Sequence, residues 1–503
     1  MTIDGHFDGI GKESIKGGQC TYIFVQLPAL IIDWCDVARV TIDMLPDVAL
    51  LEVFVFYLDE IPEAWPRLVH VCRIWRNVAF GSPRRLGLRL NCRASTPVRE
   101  TLDVWPLLPI AIETNPYDRW SDKWGVDNIV AALEHSDRIC QLELTLCPNS
   151  QFEKVLAVMQ QPFPALASLG LGPEDKKAPL VPIPASFLGG SSPQLRTLHL
   201  DQIPFPGQGL LKLLLSATHL VNLSLHGISR SSYISPEAML NCLSLLTGLK
   251  SLSIGFKSSR SFPRQRSQFL PPSTRILLPV LSSLWFEGVT NYLEDLMAWI
   301  DAPLLDKLDV TFFNQIFDTP QLTQLISRSP KFKAYNHAQL FFSESETWLI
   351  LSQAFNRGAQ LKITFSSQPD EQISTLVLIC TASFPRALIA TAEHLYVLVS
   401  GDWEEDIEND RWLELLHLFT GAKALYISLE FTLSLPLALL ELTWEEETEV
   451  LPALETIFLE DNVLFPQPPG VQDVIGQIVA VRELTCHPIT VSPWDIVDEM
   501  EED

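Results

Sequence analysis

The chain has 503 residues, of which 47% are hydrophobic and 19% are charged. This balance is typical of a globular protein with enough apolar surface for a large core and several domains. The 36 Lys and Arg residues and 61 Asp and Glu residues give a net charge of −25. That charge disfavours duplex nucleic acid or an anionic membrane as the principal partner, because phosphate binding needs clustered cations.

The cysteine pattern and the N-terminus predict a cytoplasmic or nuclear protein. The nine cysteines show neither the spacing of a zinc site nor that of a disulfide framework, which indicates a reducing compartment. Residues 1–40 read as a loosely ordered extension without a signal-peptide core. The most apolar stretch, Thr21–Val40, is interrupted by polar residues, so no transmembrane helix is expected.

Two short amphipathic helices are predicted between Leu45 and Phe80. Their apolar residues recur at i, i+3, i+4 and i+7, which places each set on one helical face. The first set is Leu50, Val53, Phe54 and Tyr57, and the second is Leu68, Val71, Cys72 and Trp75. Pro46 and Asp47 mark a helix start, and the segment DEIPEAWP is read as the loop between the helices. So small a unit cannot bury all this apolar surface alone, which predicts a docking module.

This pattern resembles an F-box. The resemblance rests on Leu45-Pro46, on the first helix from Leu50 to Phe54, and on Leu68-x-x-Val71-Cys72-x-x-Trp75 with Val78. Together with the following FGSPRRLGLRL and TPVRETLDVWPLLPI, residues 41–110 are similar to the F-box-like proteins that are abundant in mushroom-forming fungi. The sequence departs from the usual F-box in the inserted DEIPEAWP and in Ala49, where a larger aliphatic residue is common.

The resemblance implies docking on a Skp-type adaptor and, through it, on a cullin scaffold of a ubiquitin ligase. The contacts that it implies are Leu45, Pro46, Leu50, Val53, Phe54, Leu68, Val71, Cys72 and Trp75. Their role would be burial of helices in a partner's groove, with the tryptophan as an anchor. The alternative is a helical hairpin that packs on the rest of the chain and caps it.

The remainder of the chain repeats the unit aliphatic-x-x-aliphatic-x-aliphatic. Copies start at Ile139, Leu166, Leu195, Leu220, Leu249, Leu281, Leu305, Phe332, Gly358, Ala392, Ala422, Leu454 and Val481. The starts lie 24 to 34 residues apart, close to the period of ~20–29 residues of leucine-rich repeats. The longer units leave room for helices, for example one opened by Ser235-Pro236-Glu237.

The predicted fold class is therefore α/β. An N-terminal helical F-box (41–95) and a connecting segment (96–138) precede a curved leucine-rich-repeat solenoid (139–490), and an acidic tail (491–503) ends the chain. The solenoid would carry a parallel sheet on its concave face and helices outside. The alternative is an ordinary α/β protein with alternating strands and helices.

The fifth position of each repeat is expected to point to the concave side, because strand side chains alternate between faces. Aromatic or charged residues at this position are candidates for a target-binding surface. These candidates are Trp285, Asp309, Tyr396, Tyr426 and Phe458. The alternative is that neighbouring insertions, or the acidic segments 401–410 and 443–449, cover them.

No catalytic constellation, metal-ligand spacing or cofactor motif is apparent, so we expect a protein that is not an enzyme and binds no cofactor. The arginine-rich stretch from Arg67 to Arg99 would face an acidic adaptor surface or a nucleic acid, or would simply balance the acidic bulk of the chain. The predicted function is that of a substrate-recognition subunit. The alternatives are a repeat scaffold capped by the helices and a hydrolase or transferase with a deep polar pocket.

Overall fold

The computed structural model describes residues 45–61, 64–93, 98–113, 125–175, 182–263, 275–313, 318–355, 357–366, 369–399, 409–432, 434–442, 450–460, 470–484 and 487–494. The chain divides into two compact units between Leu88 and Arg89. The predicted extension 1–40, most of the acidic segment 401–410, the segment 443–449 and the end of the tail, 495–503, lie outside the described residues.

The described part of the N-terminal unit contains three helices. They are α1 (Asp47–Glu60), α2 (Trp65–Val71) and α3 (Arg73–Gly81). Helix α1 begins directly after Pro46, as predicted, and buries Leu50 and Phe54. Both α1 and α2 pack against α3.

The second predicted helix is in fact two helices, because the backbone is extended at Cys72 (φ −157°, ψ 175°). Leu68 and Val71 therefore belong to α2 and Trp75 to α3, so the predicted common face does not form. The segment DEIPEAWP is also shorter as a loop than expected. Its first two residues end α1, and Trp65 begins α2 with a proline in the first turn, where the missing N–H costs nothing.

The larger unit is built on one long sheet and a small two-stranded sheet. The strands are β1 (Leu90–Cys92), β2 (Ile110–Glu113), β3 (Ile139–Cys147), β4 (Ser168–Pro173), β5 (Thr197–Asp201), β6 (Asn222–Ile228), β7 (Ser251–Phe256), β8 (Ile276–Leu277), β9 (Ser283–Gly288), β10 (Ile300–Asp301), β11 (Lys307–Phe312), β12 (His337–Phe342), β13 (Glu346–Ala354), β14 (Arg357–Ser366), β15 (His394–Val399), β16 (Ala424–Ile427), β17 (Thr456–Glu460) and β18 (Thr490–Trp494). The long sheet has sixteen strands among the described residues, and β8 and β10 form the small one. The long sheet begins at Leu90, upstream of residue 139, where the repeat pattern first becomes visible in the sequence.

Helices join most consecutive strands. They are α4 (Val98–Val104), α5 (Val126–Leu133), α6 (Asn149–Val158), α7 (Gly207–Ser216), α8 (Pro236–Leu243), α9 (Thr290–Met297), α10 (Pro320–Arg328), α11 (Pro369–Ser383), α12 (Arg386–Ile389), α13 (Asn409–Leu416), α14 (Ser434–Leu442) and α15 (Val471–Leu484). Successive helices pack against one another, for example α7 on α8 and α8 on α9. The predicted start of α8 is confirmed, since the Ser235 hydroxyl accepts a hydrogen bond from the Ala238 amide at 3.3 Å.

The core lies between the helices and the face of the sheet that carries the repeated aliphatic residues. In β7, for instance, Leu252 is 0% and Ile254 is 1% exposed. Equivalent positions of neighbouring strands are paired in register, as Leu252 is with Leu284. This register confirms a parallel repeat sheet with helices on one side, an arrangement like that of a leucine-rich-repeat solenoid.

One strand breaks the parallel order. Strand β13 lies antiparallel between β12 and β14. The order of strands in the sheet is β11, β14, β13, β12 and then β15, so the chain runs back on itself before it continues. The expected uninterrupted parallel sheet is therefore wrong at this place, because a short turn joins β12 to β13 and a short turn can only connect antiparallel neighbours.

Two weak repeat copies are misplaced. The copy predicted from Phe332 starts three residues later, at Tyr335, whose side chain is 0% exposed, and Gln339 rather than Asn336 holds the fifth position. The copy predicted from Val481 lies in helix α15, and the last strand is Thr490–Trp494. Both errors have one cause: an aliphatic spacing of three and then two residues also occurs in helices and turns.

Candidate functional site

The N-terminal unit buries three of the nine predicted adaptor contacts in its own core. Leu50 is 1%, Phe54 is 0% and Leu68 is 7% exposed. The Phe54 ring lies 4.8 Å from that of Trp75, centroid to centroid. A direct contact of Leu50, Phe54 and Leu68 with a partner is therefore wrong for this conformation. The same spacing of four apolar residues is found on a helix side that faces the protein's own core and on one that faces a partner, so it does not distinguish the two.

The other six predicted contacts remain accessible to different degrees. Leu45, Pro46, Val53 and Val71 are exposed, and Cys72 and Trp75 are half-buried. The indole N–H of Trp75 is buried without a hydrogen-bond partner among the described residues. These six residues therefore stay candidates for an interface.

The structure adds exposed apolar residues that the spacing argument missed. They are Val48, Phe56, Ile61 and Ile74. Phe56 is 69% exposed, although a phenylalanine usually contributes its area to a core or an interface. It lies three residues from Val53, on the same side of α1. The sequence carries no signal of this exposure, because the spacing of apolar residues on a helix does not say which of them lie in the core.

A groove of about 450 Å³ runs between α1 and α3. It is lined by Asp47, Val48, Leu51, Ile74, Asn77, Val78, Gly81 and Ser82. Its walls are apolar at Val48 and Ile74, and polar groups lie at its ends. Such a groove is the kind of surface that accepts an apolar helix or a single anchoring side chain.

The basic residues of this unit lie on its surface. Arg67, Arg73 and Arg76 on α2 and α3 are exposed, and so are Arg84 and Arg85 after α3. Arg85 pairs with Glu52 of α1. The surface of this unit is therefore rich in positive charge, which favours an acidic partner surface.

In the repeat unit, the fifth-position side chains lie on the face opposite the helices, called here the opposite face. Its part on β3 to β7, called here the polar part, carries small and polar groups at the fifth positions. His199 Nδ1 lies 2.9 Å from the Ser224 hydroxyl, and His226 Nε2 lies 2.8 Å from the Ser253 hydroxyl. Because both serines sit inside strands whose N–H groups pair in the sheet, these Ser–His pairs do not offer the free donors of an oxyanion hole.

Trp285 and Asp309 occupy the opposite face at adjacent positions of β9 and β11. Both are half-buried. The Trp285 ring stacks on His226 at 4.5 Å and lies over Gly255, in the space that a side chain there would take. The structure thus places these two predicted residues together on an accessible surface.

The three other predicted target-binding residues lie in an aromatic row further along the sheet. Tyr396, Tyr426 and Phe458 stack with centroid distances of 4.1 Å and 4.5 Å. Tyr396 is 1% and Tyr426 is 7% exposed, while Phe458 is half-buried. Phe355 and Trp494 complete the cluster.

Tyr396 and Tyr426 are therefore core residues, and their prediction as target contacts is wrong. The physical reason is the register: parallel strands bring equivalent side chains within about 4.8 Å, so aromatic rings at one position stack on each other. Trp494 from the last strand then covers the stack, 5.3 Å from the Tyr426 ring. The cover comes from this strand and from Phe355, which precedes β14, whereas the expected acidic segments lie largely outside the described residues.

Within the described ranges, no cluster of three or more His, Cys, Asp or Glu side chains is arranged to hold a metal ion. In the same ranges, no helix combines the length and apolarity needed to cross a membrane. Cys72, Cys92, Cys140, Cys242 and Cys380 are free thiols, and burial raises the pKa of Cys92 and of Cys242 to about 11. Thiols of this kind are poor nucleophiles.

Comparisons with known proteins identify no family for this chain. No family model matches the chain, and no curated protein matches it. Among solved structures, the chain is similar to the leucine-rich repeat-containing protein LegL7 from Legionella pneumophila. The TM-score is 0.27 at 9% sequence identity, and the match covers 78% of this chain and 97% of that chain. The description of this chain as a repeat sheet therefore rests on its own strand register.

Proposed function

We propose that this protein is an adaptor with two binding parts. The N-terminal helices dock on a Skp-type adaptor of a cullin-based ubiquitin ligase, and the repeat sheet holds a protein target. The chain performs no bond chemistry in this role, and its contribution is proximity, which raises the effective concentration of the target near the ubiquitin carrier.

The observation that carries the proposal is the exposed apolar surface of the N-terminal unit. Val48 is 66%, Val53 is 53% and Phe56 is 69% exposed on one helix. Burying such side chains stabilises a complex by roughly 1.5–3 kcal/mol each. The F-box resemblance of the same segment gives the partner class, and the exposed arginines of this unit suit an acidic partner.

The capped-scaffold alternative predicts burial of Leu50, Phe54 and Trp75 against the repeats. Leu50 and Phe54 are buried. The contact of Phe54 with Trp75 and the packing of α1 and α2 on α3 account for that burial inside the N-terminal unit. Burial at these positions therefore does not favour the scaffold.

A pull-down of the full chain with a purified Skp-type adaptor tests the proposal. We expect wild-type protein to be retained, and the variants Leu45→Ala/Pro46→Ala and Val53→Asp/Phe56→Asp to be lost, because charge in an apolar contact is costly. Leu484→Asp is the matched control, since Leu484 is 84% exposed on α15 of the other unit. Circular dichroism checks that each variant is folded.

Equal recovery of wild type and both docking variants would show that this surface is not the docking site. If no folded version of the chain is retained, the ligase role fails and the scaffold alternative takes its place.

A further inference from the structure

Two tryptophans flank a short stretch of the opposite face. Trp285 lies on β9 and Trp348 on β13, with β11 and β14 between them. In register, Trp285 is paired with Asp309, Asp309 with Lys362, and Trp348 with Thr364. These side chains therefore share one surface of four adjacent strands.

Both rings are held in place by other aromatic groups and remain partly accessible. Trp285 stacks on His226 at 4.5 Å. Trp348 stacks on Phe341 at 4.4 Å with an interplanar angle of 8°. Each tryptophan is half-buried. Rings fixed in this way are ready for a ligand, because their rotamer freedom has already been lost on folding.

The negative charges of the carboxylates near the two tryptophan rings are poorly balanced by positive charge. One oxygen of Asp309 lies 4.0 Å from Lys362 Nζ, and the other is buried without a hydrogen-bond partner among the described residues. Burial raises the pKa of Asp309 in spite of Lys362. Burial also raises the pKa of Glu287, and the charge of Glu346 adds to that effect. Asp309 thus has one ammonium group at 4.0 Å, Glu287 and Glu346 repel each other, and a further cation would stabilise the charged forms of these three carboxyls.

A second, independent feature is an unsatisfied hydroxyl. Thr364 is 5% exposed, and its Oγ1 is buried without a hydrogen-bond partner among the described residues. Leu361, Ile363 and Phe365 of the same strand point to the core. Strand alternation therefore turns Thr364 to the opposite face, beside Trp348. A buried acceptor without a donor is costly, which favours a ligand that brings N–H groups.

Lys362 shows the chemistry that this surface accepts. Its ammonium lies 5.4 Å from the centroid of Trp348, in the range of a cation–π contact, and near Asp309 as well. It does not reach hydrogen-bond distance of the carboxylate. The surface thus already holds one cation loosely, two strands away from the partly accessible ring of Trp285.

We propose that this surface binds a lysine- or arginine-rich segment of a partner protein, with one cationic side chain placed between Trp285 and Trp348 above Asp309. Charge complementarity gives the class of partner: three carboxyls and two ring faces recognise ammonium or guanidinium groups. The proposal deepens the target-binding half of the proposed function, and the binding itself needs no adaptor.

The test is fluorescence anisotropy of a labelled oligolysine peptide with the full chain in the absence of any Skp-type adaptor. We expect Asp309→Asn/Glu287→Gln to weaken binding about tenfold or more, as is usual for losing charge-assisted contacts. Glu237→Gln/Asp473→Asn is the matched control, because it removes the same charge from exposed positions on α8 and α15. This control should leave binding nearly unchanged at moderate salt.

Two further variants separate binding from folding. Lys362→Met removes the internal cation while it keeps an apolar stem, so we expect binding to tighten several-fold, a result that misfolding cannot produce. Trp285→Leu keeps all charges, and we expect weaker binding from it.

Equal weakening in both charge-matched double variants would show that only the overall charge of −25 attracts the peptide and would overturn the proposal. Weaker binding by Lys362→Met would overturn it as well. Neither outcome depends on adaptor docking, so a failed pull-down and a failed titration are distinguishable.

Discussion

Two parts of the opposite face carry different kinds of side chain at the same repeat position. On β5 to β7 the fifth positions are His199, Ser224 and Ser253, which are small or polar and half-buried. On β15 and β16 they are Tyr396 and Tyr426, which are stacked and nearly inaccessible. An aromatic residue at a nominally exposed sheet position is therefore not by itself a sign of a binding surface.

The difference arises from the number of aromatic rings that occupy the same position on consecutive strands. Trp285, which lies over Gly255 and stacks on His226, stays partly accessible. Rings at the same position on consecutive parallel strands cover one another instead, and one more ring at the end of the stack, Trp494, completes the cover. Each step removes apolar area from water, so the row behaves as a second core.

The largest expected effect comes from removing a ring of the aromatic row Tyr396, Tyr426 and Phe458, called here the covered row. We expect Tyr396→Ala to lower the free energy of unfolding by about 3–5 kcal/mol, as for other large aromatic residues removed from cores. Ser224→Ala, at the equivalent position of the polar part, should cost about 1 kcal/mol for the lost hydrogen bond to His199. Urea unfolding followed by circular dichroism measures both. Similar losses would mean that the covered row is not a second core.

A smaller effect is expected where a glycine makes room for Trp285. A methyl group on Gly255 would lie 2.7 Å from the Trp285 ring. Gly255→Ala should therefore displace the ring, cost about 1–3 kcal/mol and change the near-ultraviolet circular dichroism. Gly172→Ala is the matched control, because its nearest neighbour would be at 3.5 Å, an ordinary contact. A neutral Gly255→Ala would show that the ring is free to move.

The smallest effect is a pH dependence at the edge of the covered row. The rings of His337 and His394 stack at 4.7 Å. Burial, with the neighbouring His394, lowers the pKa of His337 to about 4. Burial also lowers the pKa of His394, against the attraction of Glu393 and together with the repulsion of Lys423. The Tyr426 and Tyr396 hydroxyls face these rings.

Because the unfolded chain takes up protons on these histidines near pH 6.5 and the folded chain does so lower, stability should fall as the pH drops from about 6.5 towards 4. Urea midpoints measured across that window should slope downward on acidification, and His337→Gln should flatten the slope. His219→Gln, at an exposed position between α7 and β6, is the control variant. An identical slope in wild type and His337→Gln would refute this assignment.

The repeat strands were predictable where their aliphatic positions are strongly periodic. The copies from Leu249 and Leu281 match β7 and β9, and the pair Leu252 and Leu284 lies in register as expected. The antiparallel β13 was not predictable from repeat spacing, since its alternation of Thr347, Trp348 and Leu349 marks a strand but not its direction. The direction of a strand depends on the length of the connection that precedes it. The periodicity of side chains within the strand gives no information on that length.

The candidate sites show the same limit. The accessible pair Trp285 and Asp309 was found because each stands at a single strand position whose facing direction follows from alternation. The error at Tyr396 arose because exposure depends on neighbours distant in sequence, such as Trp494. In the N-terminal unit, neither a proline nor a glycine marks the helix break at Cys72. One continuous helix was therefore predicted across it.

The reversed order of β12, β13 and β14 sets a limit on how this chain can change in length. Repeat arrays gain or lose whole units easily, because each unit touches only its neighbours. Here Lys307–Phe312 is paired with a strand about fifty residues further along the chain, while the intervening strand β12 supports β15. Deleting any one unit in this region would leave two unpaired edges at once. We therefore expect duplication or deletion of a repeat to be less disruptive before β11 or after β15 than between these strands.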